Sequence, residues 1–245
     1  MKRFVIGDIH GELEKLDMLL STWNADNERL VLLGDFVDRG KDSYGVLKRV
    51  HELSKLYGAQ AVSGNHDIML LDWLEKPENS YYYSQGGAQT VNSFFPATDL
   101  EGAVYNYTPE HLARRMKEEF PELISFIKDL PAYIEWRDYV FVHAGVDLTY
   151  LDWRETNQVD FRWIREDFHY EPNNTDKTFI FGHTPTMFLN EDQSKDVWLS
   201  PCKTKIGLDG GAVFGGYLHG LKIDPSGEMV VHTVDINGIR QRILQ

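Results

Sequence analysis

With one cysteine in 245 residues, Cys202 has no intrachain partner. That excludes a disulfide framework and a thiolate-rich zinc site, and it agrees with a reducing compartment. No apolar run approaches the ~18 residues that a membrane span needs. The opening MKRFVIGDIHGELEKL reaches charged and glycine residues too early for a secretory leader. The expectation is a soluble, cytoplasmic protein with no membrane partner. Basic residues are also few: 25 Lys and Arg stand against 38 Asp and Glu, for a net charge of -13. Such a surface does not suit general binding of nucleic-acid backbones, which relies on cationic side chains displacing counterions. Some of the carboxylates read as metal ligands, however, and bound cations would offset their charge.

A chain of this length with 42% hydrophobic residues can bury one large core, so a single domain over residues 1–245 is expected. RFVIG (3–7) reads as a buried strand, and Leu13, Leu16, Leu20 and Trp23 then recur at spacings of three and four, the stripe of a helix on a sheet. RLVLLG (29–34) predicts a second strand. SYGVLKRVHELSKLYG predicts a second helix with Val46, Val50, Leu53 and Tyr57 inward, and AQAVSG (59–64) a third strand. From about 78 to 130 the pattern becomes helical and irregular, with a helix near 109–128, and reads as a cap-like insertion. Strands return as YVFVH, TFIFGH, TKIGLD, GYLHGLKI and MVVHTV, the last two closing a hairpin around Pro225, Ser226 and Gly227. The class is α/β.

Metal-capable residues follow directly after these apolar runs: Gly7-Asp8-Ile9-His10-Gly11, Gly34-Asp35-Phe36-Val37-Asp38-Arg39-Gly40, Gly64-Asn65-His66-Asp67, Val142-His143-Ala144 and Gly182-His183-Thr184. Strand ends are where α/β proteins bind ligands. Asp8 and His10, two apart, can face one side of an extended segment and bind one ion, while Asp35 has oxygens to bridge two. Mixed carboxylate, imidazole and amide donors suit Mn, Fe or Zn better than calcium. Two such ions about 3.5 to 4 Å apart hold a hydroxide at neutral pH and clamp both oxygens of an in-line displacement. Arg39 offers a planar fork for two phosphate oxygens. His66 is placed to act as general acid, with Asp38 holding its ring.

The ordered set GDIHG, GDFVDRG, GNHD, VHAG and GHT resembles the metallophosphoesterases, and within them the PPP-type phosphatases, over residues 4 to 223. The resemblance implies a four-layer fold of two packed mixed β-sheets flanked by helices. It also implies two divalent ions, manganese foremost with iron, zinc or magnesium as alternatives. Asp8, His10 and Asp35 would hold the first, and Asp35, Asn65, His143 and His183 the second. Asp38 and His66 would form the acid pair. Arg39 and Asn65 would contact phosphate, joined by a second arginine from Arg162 and Arg165, of which Arg165 is favoured. GNHD in place of GNHE, and the stretch Gly207-Leu208-Asp209-Gly210-Gly211-Ala212-Val213-Phe214-Gly215-Gly216, resemble the bacterial and phage branch, which includes protein phosphatases and symmetrical dinucleoside tetraphosphate hydrolases.

Phosphoserine and phosphothreonine of proteins are the leading expected substrates, since no nucleotide-binding fingerprint is present. Symmetrical cleavage of dinucleoside tetraphosphates is the alternative and predicts an adenosine-sized pocket in the cap. An inactive scaffold ranks last, because every ligand and the acid histidine are kept. His51, His111, His169, His219 and His232 read as satisfied surface or core residues. Tyr81, Tyr82 and Tyr83 read as cap packing or solvent edge rather than a base-stacking platform. Arg114, Arg115, Lys117, Glu118 and Glu119 read as a solvated helix face, and Cys202 as inert.

Overall fold

Side chains that alternate along each strand sort the core into layers. The computed structural model describes residues 1–77, 80–95 and 102–244, so the insertion's start at 78 and 79 and its stretch 96–101 lie outside the described residues. The strands are β1 (Lys2–Ile6), β2 (Glu28–Leu32), β3 (Gln60–Ala61), β4 (Tyr133–Trp136), β5 (Tyr139–Val142), β6 (Thr178–Phe181), β7 (Trp198–Leu199), β8 (Lys205–Gly207), β9 (Asp209–Gly210), β10 (Tyr217–Ile223), β11 (Met229–Asp235) and β12 (Gly238–Ile243). One sheet runs β12-β11-β10-β1-β2-β3, with β9 on β10, and the other runs β4-β5-β6-β8-β7. Both are mixed: β1 pairs in parallel with β2 and antiparallel with β10, and β6 pairs in parallel with β5 and β8 while β4 and β7 close the edges antiparallel.

Val5, Val31, Phe141, Ile180, Ile206 and Leu221 point between the sheets into a shared layer. Their neighbours one residue away point outward: Phe4, Ile6, Leu30 and Leu32 toward one helical layer, and Val140, Val142, Phe179 and Phe181 toward the packed segments around Trp153, Phe161 and Phe168. The α/β fold of two mixed sheets flanked by helices is therefore as expected. Phe141 is fully buried in the inter-sheet layer. Phe141→Ala should destabilise the protein by about 3–5 kcal/mol, read as a lower urea midpoint with an unchanged slope; a loss below 1 kcal/mol would mean the sheets are not held by this layer.

Helices α1 (Leu13–Leu20) and α2 (Ser43–Tyr57) cover the first sheet. The helical segment that follows consists of α3 (Asn65–Glu75), α4 (Ser80–Tyr82), a π-turn over Tyr83–Gly87, α5 (Ala88–Phe94), α6 (Ala103–Asn106), α7 (Pro109–Glu119) and α8 (Pro121–Lys128). Its residues Val91, Phe94, Leu112, Met116 and Ile127 belong to the same apolar cluster as Phe4 and Leu30. No helix among the described residues is long and apolar enough to cross a membrane.

Four local expectations need correction. The helix near 109–128 is two helices, because Pro121 cannot continue the hydrogen-bond ladder of the first and starts the second. The third strand is only Gln60–Ala61, since the chain leaves the sheet to reach the site. Tyr57 is 53% exposed at the helix end, its ring against Trp23 rather than in the core. In α1 the expected stripe does face the core, with Leu16 fully buried and Leu13 and Leu20 half-buried against the same cluster, but Leu19 joins it as a second fully buried residue and Trp23 packs there from past the end of the helix. The edge strand β12 went unread because its Arg240, Gln241 and Arg242 are exposed, a polar edge that discourages further pairing.

Candidate dinuclear metal centre

The loops that leave β1, β2, β3, β5 and β6 carry the site, and their backbones are strained where they do so. His10, Asp35, Asp38, Arg39 and His183 have positive φ of 46°, 51°, 72°, 70° and 63°. Each such residue costs about 1–3 kcal/mol and persists only where its surroundings fix it. Part of that fixing comes from Asp67 at the start of α3. Its carboxylate accepts from the backbone N–H of Asp35 (2.9 Å), Phe36 (3.0 Å) and Gly64 (2.8 Å). Burial, then the nearby Asp35, pushes the Asp67 carboxyl up to about 7. Close approach also matters: a β-carbon on Gly182 would collide with the Asp8 carboxylate, which accepts from the His183 N–H at 3.0 and 3.1 Å.

A continuous chain of contacts joins the six expected ligands. From Asp8 it passes through the His183 backbone, then from His183 Nδ1 to Asn65 Oδ1 at 2.9 Å and from there to His143 Nε2 at 2.9 Å. Asp35 lies between the two halves, with Oδ1 3.5 Å from His143 Nε2 and Oδ2 3.3 Å from His10 Nε2. Two groups of donors close enough to share an ion share Asp35: His10, Asp35 and His66, and Asp35, His143 and His183. Asp8 belongs to neither triad; it stands beside Asp209 and Asp35, and burial and their charges raise its carboxyl well above the usual range.

The tautomers show that these residues fit a cation. His143 Nδ1 faces the Leu33 carbonyl at 2.8 Å and His10 Nδ1 the Val37 carbonyl at 2.7 Å. A carbonyl only accepts, so each Nδ1 carries the proton. Burial lowers both rings, that of His10 to about 3, so they are neutral and each Nε2 presents a lone pair. Those lone pairs face the oxygens of Asp35 and Asn65, acceptor against acceptor, an arrangement that a positive ion between them satisfies. At His10 the lone pair is already met by a cationic group, with Arg39 Nη1 at 2.7 Å. Asp35 responds to the same surroundings: burial works to raise it, yet in the acid range where a carboxyl titrates the rings of His143, His66, His10 and His183 take up protons, and their charge holds it below the usual carboxylate range.

The remaining expected residues gather around this centre. His66 Nδ1 lies 2.7 Å from Asp38 Oδ2, both side chains buried. Tyr82 and Thr90 donate to the other oxygen of Asp38, each at 2.7 Å. Tyr82 is thus packed inside the helical segment against Trp73, as the cap-packing reading expected, and also supports Asp38, while Tyr81 is exposed. Of the two candidate arginines, Arg165 hydrogen-bonds Thr184 Oγ1 at 2.8 Å and lies in the field of Asp209 and Asp8. Arg162 instead donates to Ser63 Oγ and the Gln158 carbonyl.

The profile of the calcineurin-like phosphoesterases matches residues 1–216. The chain belongs to that family. Calcineurin-like phosphoesterases use divalent metals, and among the described residues the histidine and aspartate groups given above could hold them. The chain is 26% identical to an asymmetrical bis(5'-nucleosyl)-tetraphosphatase PrpE of Oceanobacillus iheyensis, over 89% of its own length and 87% of the relative's. It is 27% identical to serine/threonine-protein phosphatase 2 of Salmonella typhimurium, over 77% and 84%. Among solved structures, one described as a candidate diadenosine tetraphosphatase superposes with a TM-score of 0.65 at 22% identity, covering 97% of this chain and 95% of that one.

Sequence reasoning quoted Asp67 only within GNHD and gave no role in this phosphoesterase site to Asp67, Asp209, Tyr82 or Thr90. Asp209 had a signal: Gly-Leu-Asp-Gly after an apolar run repeats the pattern of the other loops. Its carboxyl is pushed up to about 6, chiefly by burial. Asp8, Asp35 and Asp209 thus share one buried space. Stripping divalent ions with a chelator should abolish activity and lower Tm. An ion present at a hundredfold excess over its Kd stabilises by about 2.7 kcal/mol, worth roughly 5–10 °C for a chain of this size. Activity and Tm indifferent to chelation would remove the metal centre.

The other histidines differ among themselves. His219 is buried and satisfied by Thr233 and the Lys195 carbonyl. His169 departs from expectation: it is buried with no hydrogen-bond partner at Nε2. Cys202 is exposed, and the hydroxyls of Ser200 and Thr204 lower its thiol to about 7.

Proposed function

We propose that this phosphoesterase hydrolyses dinucleoside tetraphosphates. The observation that carries the reading is the pair of guanidinium groups at one carboxylate-rich centre, Arg39 against His10 and Arg165 beside Asp209 and Asp8. A chain of four phosphates has charge enough to engage both arginines, each as a bidentate fork. The similarity to PrpE tetraphosphatases over nearly the whole of both chains supports it.

Two divalent ions, with manganese the ion proposed, would be held by Asp8, His10, Asp35, Asn65, His143 and His183 and would supply Lewis-acid charge and an activated water. The chain's own groups orient the phosphates through Arg39, Arg165 and the Asn65 amide. His66 Nε2 gives a proton to the departing oxygen while Asp38 holds the ring. Cleavage like that named for the PrpE relatives would release ATP and AMP from diadenosine tetraphosphate; the symmetrical mode would release two ADP.

The test is kcat/KM of the manganese-loaded protein on diadenosine tetraphosphate against a panel of phosphoserine and phosphothreonine peptides. A preference of ~100-fold for the nucleotide, about 2.7 kcal/mol of differential transition-state binding, is expected. The reverse preference would establish the second reading, protein phosphatase action. That reading is favoured by the His66–Asp38 pair, since a serine alkoxide needs protonation most, and by the similarity to the Salmonella phosphatase.

A further inference from the structure

We infer that the groove beside Arg39 is a nucleobase subsite, taking the purine-sized heterocycle of the nucleotide whose phosphates occupy the centre. The inference rests on the nucleotide reading above. The groove is lined by Arg39, Tyr83, Gln85, Gln89, Val213 and Phe214, between the π-turn of the helical segment and the turn after β9. It therefore lies where the cap pocket expected for a nucleotide substrate would be.

Both walls are tied to the site. On one side, the Gly86 carbonyl accepts from the Arg39 N–H at 3.2 Å. On the other, Asp209 Oδ1 accepts from the Gly211 N–H at 2.9 Å, which sets the start of the turn Ala212–Phe214. That turn is bounded by Gly211 and Gly215, at φ 67° and 70°, and closed by the N–H groups of Phe214 and Gly216 on the Gly211 carbonyl, both at 2.9 Å. Left-handed glycines at both ends fix the turn's exit and entry. The turn presents Phe214, a residue 62% exposed.

A large apolar ring on a rigid turn in solvent contributes little to folding but makes a stacking surface that needs no rearrangement. The Arg39 guanidinium carbon lies 5.3 Å from the centre of the Phe214 ring, so the group that would hold phosphate also forms the inner end of the groove. Apart from Arg39 the lining is uncharged. A polyanion would find no further cation there, whereas Gln85 and Gln89 offer paired amide donors and acceptors that match the edge of a purine. Base–aromatic stacking contributes about 1–3 kcal/mol.

The experiment compares wild type, Phe214→Ala, Phe214→Trp and Gln89→Ala, all manganese-loaded. Two quantities are measured: the ratio of kcat/KM on diadenosine tetraphosphate to that on base-free inorganic tripolyphosphate, and the Ki of AMP against tripolyphosphate hydrolysis. For Phe214→Ala the ratio should fall and the Ki rise by about tenfold or more; Phe214→Trp should restore both. Tetraphosphate hydrolysis with a ratio and Ki unmoved by Phe214→Ala would overturn the subsite and leave the proposed function standing. A wild type inactive on the tetraphosphate, with AMP inhibition still weakened by Phe214→Ala, would overturn the function and keep the subsite. With a phosphoserine peptide assayed on the same variants as a control, a loss confined to that peptide would assign the groove to a peptide and overturn the inference.

Discussion

Asp35→Asn should lower kcat/KM by at least ~10³-fold, because metal-ion catalysis contributes several kcal/mol and every 1.36 kcal/mol is tenfold. The substitution keeps the size of the side chain and an acceptor for the His66 N–H, which Asp35 Oδ1 now receives at 2.9 Å. What it removes is the negative charge facing two imidazole lone pairs, one on each side. Asp35 is common to both candidate donor groups, so metal content measured on the purified protein should fall along with activity. The backbone conformation is not at issue, since asparagine tolerates φ of 51° as readily as aspartate. Full metal content together with activity within tenfold of wild type would show that Asp35 does not bridge two ions.

How much of this was legible in the sequence depends on how local each determinant is. The ligand set was legible because each member sits in a short string after an apolar run, and the two parallel strands before Asp8 and Asp35 carry those strings to one sheet edge. The choice of Arg165 over Arg162 was only a preference in the sequence; three residues apart, the two side chains part toward Thr184 and Ser63. The strain at His10, Asp35, Asp38, Arg39 and His183 was not legible, because it comes from packing of loops distant in sequence, such as Asp67 bonding back to Asp35 and Phe36. The support that Tyr82 and Thr90 give Asp38 was not legible for the same reason: they reach it from more than 40 residues away. Pro121 was the opposite case, a local signal that breaks the long helix and was there to be read.

His66→Asn should separate substrates by the basicity of what leaves. Asp38 is buried, and with one oxygen taken by Tyr82 and Thr90 its other oxygen is committed to His66 Nδ1 at 2.7 Å. Nε2 is then the nitrogen left to meet a substrate oxygen. General acid catalysis contributes about 10²–10⁴-fold, but only where the departing oxygen holds its proton tightly. On a phosphoserine peptide, which expels an alkoxide, kcat should fall by ~10³-fold within that range. On an activated aryl phosphate it should fall by less than about tenfold, since that leaving group departs without help. Diadenosine tetraphosphate, which expels a phosphate oxygen far less basic than an alkoxide, should lie between them. Asp38→Asn should follow the same order with smaller losses, as expected of a group that acts by holding the ring rather than by giving the proton. Equal losses on all three substrates would mean that His66 serves as a ligand within the His10–Asp35–His66 group and not as the acid.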